Sequence, residues 1–264
     1  MNEQTGEINN EIKFLAKSGI RLKILDELKR NPHTIQELVK ITGITYSSVS
    51  SNVTKLQSAS YIKKANKKYE INPLSEIYFN TIMEFKQSVD LIADLKEFWY
   101  KHDITQIDED SLKNITDLAD SELIETTPLD IYKTHNIIIK HLSKSKTLKA
   151  IFPYIHPDYP KLIEEILLKN GKIEIIMTEN LYRAMIPKID IRLRKKSMKN
   201  KNFKIHIIHN ELPIHLSICD EEMDLGLFKN DGSFDQNRLL TSNNEKSVKW
   251  AGNLFENIKK SVIA

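Results

Sequence analysis

Residues 34–72 read TIQELVKITGITYSSVSSNVTKLQSASYIKKANKKYEIN. Thr34 and Glu37 have the spacing of a capping box, so we predict that a helix begins at Thr34. Gly43 is free to adopt positive φ and is expected to end that helix. Thr45 is expected to cap a second helix, and two short strands, 61–64 and 68–71, are expected to follow it. The stretch therefore predicts a helix, a tight turn, a second helix and a basic β-hairpin.

The second predicted helix has one apolar and one polar face. Val49, Val53 and Leu56 recur at i, i+4 and i+7 and are expected to face inward. The opposite face is short, polar and nearly free of acidic residues, so it fits the major groove of double-stranded DNA. Lysines of the hairpin suit the phosphate backbone. The predicted DNA-binding residues are Thr45, Tyr46, Ser47, Ser50, Ser51, Thr54 and Lys55 of the helix and Lys63, Lys64, Lys67 and Lys68 of the hairpin.

An alternative is a protein-binding adaptor, because helix-turn-helix shapes also occur in proteins that never bind DNA. An acidic face on the second helix would favour an adaptor, and this face is not acidic. The charge of the chain is local: the net charge is only +3, but residues 40–70 contain six lysines and one acidic residue. DNA binding by this segment is therefore the favoured interpretation.

Length and composition bound the class of protein. A chain of 264 residues with 40% apolar residues is expected to form globular domains, here two. A single cysteine, Cys219, excludes an intrachain disulfide and fits a reducing cytoplasm. The polar start of the chain does not resemble a signal peptide, and no apolar run approaches the ~20 residues of a membrane span. We therefore expect a cytoplasmic protein without a membrane partner.

Two long helical patterns flank the hairpin segment. Residues 8–30 predict a helix interrupted at Ser18-Gly19, and with residues 34–72 they make a winged helix-turn-helix. Residues 74–100 predict one long helix with apolar residues at spacings near 3.5. Its apolar stripe either packs against the same chain or pairs with a second subunit. We favour a homodimer, because a protein that binds two half-sites of DNA with two-fold symmetry needs a helix through which its subunits pair.

The remainder alternates between predicted strands and helices. This rhythm favours a mostly parallel sheet covered by helices, with an antiparallel hairpin formed by 214–219 and 223–228. The fold class is thus α+β with an α/β C-terminal part, divided into a DNA-binding domain 1–73, a dimerisation helix 74–104 and a regulatory domain 105–264. The other predicted elements are helices 108–120, 129–142, 158–169, 179–198 and 244–261 and strands 122–126, 147–152, 172–177 and 203–208.

A small-molecule effector site is predicted in the C-terminal part. Ligands of open α/β sheets bind beyond the carboxyl ends of strands, and three loops there mix aromatic, hydroxyl and titratable groups. The alternative is that Pro128 and Pro157 only begin helices, with polar neighbours as caps. The candidate ligand-binding residues are Thr127, Asp130, Tyr132, His156, Asp158, Tyr159 and Glu179.

Six motifs are spread in order along nearly all of the chain: Lys17-Ser18-Gly19-Ile20-Arg21, Phe98-Trp99-Tyr100-Lys101-His102-Asp103-Ile104, Glu125-Thr126-Thr127-Pro128-Leu129-Asp130, His156-Pro157-Asp158-Tyr159, Leu225-Gly226-Leu227-Phe228 and Asp231-Gly232-Ser233-Phe234-Asp235. The N-terminal third resembles the ArsR/MarR-like winged-helix regulators. With these motifs the whole chain resembles an archaeal group of transcription regulators with a C-terminal methanogenesis-regulatory middle domain. This resemblance implies a dimeric DNA-binding regulator. The C-terminal half also resembles phospholipase D-like domains in topology.

Sequence motifs for catalysis are missing. Phospholipase D chemistry needs an H-x-K motif, and none of the eight histidines is followed by lysine at the second position. There is no G-x-S-x-G elbow and no glycine-rich phosphate loop. We therefore predict a protein that is not an enzyme and has no cofactor, with an unrecognised hydrolase as the alternative.

Two further clusters, one of histidines and one of basic residues, are explained without a functional site. His206, His209 and His215 are close in sequence but do not share one strand face, so no metal site is predicted from them. The basic run 188–204 offers a place for phosphate, an anionic effector or flanking DNA, but a solvated helix face is the usual explanation of such a run.

Overall fold

The computed structural model describes residues 10–209 and 214–263, and the chain divides into two compact units, one up to Val89 and one from Asp90. The N-terminal unit is mainly helical, whereas the C-terminal unit is built on a β-sheet, so the fold is a mixed α+β one. The predicted ranges 1–73, 74–104 and 105–264 remain a prediction about domains. None of the helices in the described ranges joins enough length to enough apolar character to cross a bilayer.

The N-terminal unit follows the predicted order of helices and hairpin. The helix predicted over 8–30 is interrupted as expected, because the Ser18 side chain accepts a hydrogen bond from the Arg21 backbone N–H and starts a new helix. Residues 8 and 9 of that prediction lie outside the described residues. The elements are α1 (Asn10–Ala16), α2 (Gly19–Arg30), α3 (Ile35–Thr42), α4 (Tyr46–Ser58), β1 (Ile62–Ala65), β2 (Lys68–Ile71) and α5 (Pro73–Asp94).

Local signals fix the turn between α3 and α4. Thr34 and Glu37 form the predicted capping box, in which the Glu37 carboxylate accepts from the Thr34 backbone N–H at 2.7 Å. Gly43 ends α3 with φ of 68°, in the left-handed region. Thr45 precedes α4, but its hydroxyl lies 3.0 Å from the Ser48 hydroxyl and, among the described residues, makes no cap to the backbone, so the side-chain cap predicted for it is wrong.

α4 is held by its apolar face. Val49, Val53 and Leu56 are buried as predicted, in a core that includes Leu25 of α2 and Leu38 of α3. Burying each such side chain stabilises a fold by about 1.5–3 kcal/mol, so this face fixes which side of α4 remains outside.

The helix predicted over 74–100 is two helices. α5 ends at Asp94, and a separate helix, α6 (Lys96–Lys101), follows. Phe98 and Trp99 are buried in the core of the C-terminal unit, so Trp99 does not belong to an outward stripe. α5 still has an outward apolar face, since Leu74, Ile77 and Phe85 are 68%, 61% and 71% exposed.

In the described residues, the C-terminal unit has seven strands in one sheet, with helices on both faces. One face packs on a core that contains Trp250 and Phe255, and the other on a core that contains Ile138 and Ile163. The elements are α7 (Glu109–Lys113), β3 (Glu122–Glu125), α8 (Lys133–Lys144), β4 (Thr147–Ile151), α9 (Tyr159–Leu168), β5 (Lys172–Thr178), α10 (Glu179–Met185), α11 (Ile191–Lys199), β6 (Phe203–Ile208), β7 (Ile214–Cys219), β8 (Glu222–Leu227), β9 (Arg238–Ser242) and α12 (Glu245–Ile263).

The strand order of the sheet is β3-β9-β8-β7-β4-β5-β6 in the part of the chain that the structure describes. The expectation of a mostly parallel sheet is wrong, because only β4–β5 and β5–β6 are parallel and the other neighbours are antiparallel. β7–β8 is the predicted antiparallel hairpin, whereas β9 was not predicted. Because antiparallel neighbours run in opposite directions, five strands of this order run the same way: β3, β4, β5, β6 and β8. Their carboxyl ends therefore lie at one edge of the sheet, here called the carboxyl edge.

Three predicted helices differ in their bounds. α8 begins at Lys133 and not at 129, because Thr127 and Asp130 close a tight turn through two backbone hydrogen bonds. The helix predicted over 179–198 is interrupted by a 3-10 turn that contains Pro187, which cannot donate a helical hydrogen bond. The helix predicted over 108–120 is α7 followed by a second 3-10 turn, Ile115–Leu118.

Candidate functional site

The outward face of α4 carries the predicted DNA-binding side chains. Tyr46, Ser47, Ser51, Thr54 and Lys55 are exposed. Ser50 is half-buried, and Thr45 is exposed just before the helix. The sequence of α4, YSSVSSNVTKLQS, contains no acidic residue. The outward side of α4 therefore offers small hydroxyl groups and a cation without a competing carboxylate of its own.

In the hairpin that follows α4, all four predicted lysines are exposed. Two of them have acidic partners, since Lys63 lies 3.0 Å from Glu70 and Lys68 lies 3.6 Å from Glu37. Sequence analysis did not anticipate the Glu37 pair. Such exposed pairs contribute little to stability, and the lysines exchange their carboxylates readily for another anion. We call the exposed residues of α4 and these lysines the helix–hairpin surface.

A second candidate site lies at the carboxyl edge of the sheet. It is a cavity of about 440 Å³, here called the histidine cavity. The predicted residues Tyr132 and His156 line it, together with His135, Tyr154 and Phe234, which were not predicted. Aromatic and titratable groups thus surround one concave space, as is usual for small-molecule sites.

Two histidines meet at this cavity. The ring centres of His135 and His156 are 3.3 Å apart. One donor atom each of His135, His156 and Asp158 lies within 4.8 Å of the other two. His135 Nε2 is buried and, among the described residues, has no hydrogen-bond partner.

Burial sets the protonation of both rings. Burial and, to a smaller extent, the charge of His156 lower the pKa of His135 to about 4. Burial also lowers the pKa of His156, although Asp158 opposes it. Both pKa values therefore lie below the ordinary value of an imidazole, and His156 Nδ1 accepts a hydrogen bond from the Asp158 backbone N–H at 3.2 Å.

The other predicted ligand residues are more scattered. Tyr159 is buried, and its hydroxyl donates to the Tyr154 hydroxyl at 3.2 Å, so it supports the cavity wall from behind. Thr127 and Asp130 lie in their exposed turn. Glu179 is exposed at the carboxyl end of β5 and pairs with Arg183 at 2.6 Å. Tyr132, His156, Asp158 and Tyr159 are thus near His135, whose ring centre is 6.1 Å from that of Tyr159.

Sequence reasoning also missed the polar wall of the cavity. Asp235 is buried between His102 Nε2, at 2.9 Å, and Arg238 Nη1, at 3.3 Å. Burial alone raises the pKa of Asp235, but hydrogen bonds from the Asn237 backbone and His102 outweigh it and leave the pKa lowered. His102 is 133 residues from Asp235, so no local pattern signals this pair.

A serine, a histidine and an aspartate do come together elsewhere in the sheet unit. His141 Nδ1 lies 3.0 Å from Asp224, and the Ser217 hydroxyl donates to the same carboxylate at 3.0 Å. In a catalytic triad the histidine stands between serine and aspartate, whereas here the aspartate is in the middle and all three are buried. Burial raises the pKa of the Cys219 thiol well above its ordinary value. The hydrogen bonds among Ser217, His141 and Asp224 are therefore structural, and neither Ser217 nor Cys219 is activated as a nucleophile.

The remaining candidates are separated by the fold. His206 on β6 lies 2.8 Å from Glu174 on β5, whereas His215 is fully buried on β7, which is separated from β6 by two strands. His209 is exposed. In the basic run, the Asp190 side chain accepts from the Leu193 backbone N–H and caps α11.

A second cavity, of about 560 Å³, also lies at the carboxyl edge. Its lining includes Phe152, Met177, Thr178 and Phe228. Its lining also contains charged side chains, those of Asp103 and Lys229, and none of the predicted ligand residues lines it.

Comparison with known proteins gives two family matches. The family described as "Methanogenesis regulatory protein FilR1, N-terminal domain" matches residues 9–90, and "Methanogenesis regulatory protein FilR1, middle domain" matches residues 131–261. The methanogenesis regulatory protein FilR1 of Methanothrix harundinacea (strain 6Ac) is 24% identical over 248 residues, which cover 93% of this chain and 56% of that protein. The chain thus spans little more than half the length of this relative.

Solved structures show weaker likeness. TrmBL2, described as an archaeal chromatin protein with a novel mode of DNA binding, is 12% identical over 96% of both chains, with a TM-score of 0.40. An O-methyltransferase family protein from Burkholderia thailandensis is 9% identical over 78% of this chain and 66% of that chain, with a TM-score of 0.27. TM-scores this low do not establish a shared fold or a shared function.

Proposed function

The chain belongs to the FilR1 family of methanogenesis regulatory proteins, and on that premise we propose that it is a sequence-specific DNA-binding transcriptional regulator. In this proposal the subunits form a dimer, the helix–hairpin surface binds duplex DNA, and the C-terminal unit senses a small ligand. The regulatory role in this proposal rests on the similarity to FilR1 of Methanothrix harundinacea. Phospholipase D-like topology and ArsR-like ancestry remain predictions.

The helix–hairpin surface is the observation that carries the proposal. α3, Gly43, α4 and the β1–β2 hairpin follow one another in the order of a winged helix-turn-helix. A helix of this kind reads base edges from its outward face, and Ser47, Ser51 and Lys55 form a line at i, i+4 and i+8 on that face. Short hydroxyl side chains allow the backbone of α4 to approach the floor of the major groove.

The hairpin lysines supply the sequence-independent part of binding. Lys64 and Lys67 are exposed and, within the described residues, lie in no ion pair. Each phosphate that a lysine neutralises releases a condensed counterion, which favours binding at low salt. Lys63 and Lys68 exchange their weak carboxylate pairs for phosphates when DNA is bound.

The outward face of α5 supports a dimer. Leu74, Ile77, Tyr78, Phe85 and Val89 are all exposed on α5. A continuous apolar stripe on the surface of a helix is typical of a protein interface. A second copy of the same helix fits it, because a two-fold axis brings two copies of α4 to two half-sites of one operator.

Binding of the full chain to a labelled random duplex tests the proposal, measured by fluorescence anisotropy as salt is raised from about 50 to about 200 mM. We expect saturable binding that weakens steeply with salt. The variant Lys63→Gln/Lys64→Gln/Lys67→Gln/Lys68→Gln is expected to bind weakly at every salt concentration. Absence of binding by the folded wild-type chain at about 50 mM salt, or equal binding by this variant, contradicts the proposal.

A further inference from the structure

We infer that His135, His156 and Asp158 form a binding site for a first-row divalent metal ion of the class of Zn²⁺, Co²⁺ and Ni²⁺, beside the histidine cavity. The sequence-based expectation of no metal considered histidines that are close in sequence. These three ligands come instead from α8 and from the loop between β4 and α9, and the fold brings them together.

The distances suit such an ion. The three donor atoms lie within 4.8 Å of one another. Zinc bonds to nitrogen and oxygen are about 2.0–2.2 Å long, so tetrahedral donors stand about 3.5 Å apart. Because the side chain of Asp158 is 57% exposed, it is free to rotate toward the histidines without repacking the core.

The unpartnered nitrogen of His135 is an independent observation. His135 Nε2 is shielded from solvent and, in the described part of the chain, has no hydrogen-bond partner. A buried polar atom without a partner is destabilising, and a bound ion is one kind of partner that satisfies such an atom. The ring of His156 is tilted by 37° to that of His135 and stands 3.3 Å away, centre to centre, so it presents a second imidazole to the same space.

The donor set selects the class of ion. Two imidazoles and one carboxylate suit Zn²⁺, Co²⁺ and Ni²⁺, whereas Mg²⁺ and Ca²⁺ prefer oxygen ligands throughout. Three protein ligands leave at least one coordination position open, as in sites that exchange a water or a substrate. The adjoining cavity, of about 440 Å³, has room for a small anionic or carbonyl-bearing molecule at that position.

The site deepens the proposed sensing role. Metal binding by itself does not depend on DNA binding. That the metal acts as an effector rests on the proposed function, because it requires DNA affinity to differ between the metal-free and metal-bound chain.

Titration of the metal-free full chain with Co²⁺ tests the site, followed by visible absorption and then by displacement with Zn²⁺. We expect one equivalent per chain. Asp158→Asn is the first variant because its exposed side chain does not support the core, and His156→Gln is the second. Each is expected to weaken Co²⁺ binding at least tenfold, while the control His209→Gln, which removes an exposed histidine, leaves it unchanged.

Two outcomes overturn the site: no Co²⁺ spectrum at about 100 μM metal, or the same affinity in both ligand variants as in wild type. Circular dichroism of each variant identifies loss of fold, and Asp158→Asn alone decides the test if His156→Gln does not fold. Duplex binding is then measured with and without Zn²⁺. Metal bound by a chain that binds no duplex contradicts the proposed function and leaves the site standing, whereas duplex binding without any metal binding contradicts the site alone.

Discussion

Replacing Lys64 and Lys67 by glutamine is expected to flatten the salt dependence of duplex binding. These are the two hairpin lysines that, among the described residues, have no carboxylate partner, since Glu70 and Glu37 neutralise part of the charge of the other two. Each phosphate contact contributes about −0.9 to the slope of log K against log salt. Loss of two contacts makes this negative slope less steep by about 1.8 per subunit, and by about 3.6 for a dimer with both hairpins bound.

The assay is the binding of a random duplex at several salt concentrations. At about 0.1 M salt, the same relation predicts about an eightfold loss of affinity for each phosphate contact removed. The matched control is Lys195→Gln/Lys196→Gln, which removes the same charge from exposed positions on α11 of the C-terminal unit. An unchanged slope in the hairpin variant, or an equal change in the control, would show that the hairpin does not contact phosphates.

Further predictions concern assembly, pH and base readout. Phe85→Asp, at an exposed position of α5, is expected to weaken dimerisation by at least about 100-fold, since each buried phenylalanine contributes about 1.5–3 kcal/mol and a two-fold interface has two. Sedimentation equilibrium measures this, and an unchanged dimer contradicts it. Burial lowers the pKa of fully buried His215 to about 4, below its value in the unfolded chain. The contribution of neutral His215 to stability is therefore complete above about pH 6.5 and is lost as the pH falls toward 4. Between about pH 7 and pH 5 this amounts to about 2 kcal/mol, so urea unfolding of His215→Phe is expected to depend less steeply on pH than wild type, and parallel curves refute this. Ser51→Ala/Lys55→Ala is expected to reduce affinity for an operator more than for random duplex, and equal losses in competition assays exclude base readout by α4.

Features governed by neighbours in sequence were predictable. The capping box of Thr34 and Glu37, the left-handed Gly43 and the interruption before Gly19 each depend on groups within four residues. The inward and outward faces of α4 follow from helical periodicity, because Val49, Val53 and Leu56 must share one side.

Features governed by distant partners were not predictable. β9 pairs with β3 at Glu125 and Arg238, more than a hundred residues apart, and its own sequence lacks an alternating pattern. Whether the sheet is mostly parallel or mostly antiparallel depends on the antiparallel pairing of β7 with β4, and no local motif indicates that pairing. The long predicted helix ends at Asp94 because Phe98 and Trp99 are buried in the sheet unit, and tertiary burial overrides helical periodicity.

The candidate sites divide in the same way. The exposed lysines of the hairpin were recognised from composition, but the pair between Lys68 and Glu37 joins two elements and was not. His135 was overlooked because its partner His156 lies beyond an intervening strand, and only the folded sheet brings the two rings together. Pro187 is different, because a proline cannot donate a helical hydrogen bond and the interruption of the helix at this position was predictable from the sequence.

The most direct test is to recover and sequence genomic fragments bound by the full chain, in parallel with Ser51→Ala/Lys55→Ala. If α4 reads base edges, wild-type fragments are expected to share one two-fold symmetric sequence, and the variant is expected to recover fragments without it. Recovery of the same shared sequence by both proteins, or of no shared sequence by the wild type, would contradict DNA recognition by the outward face of α4.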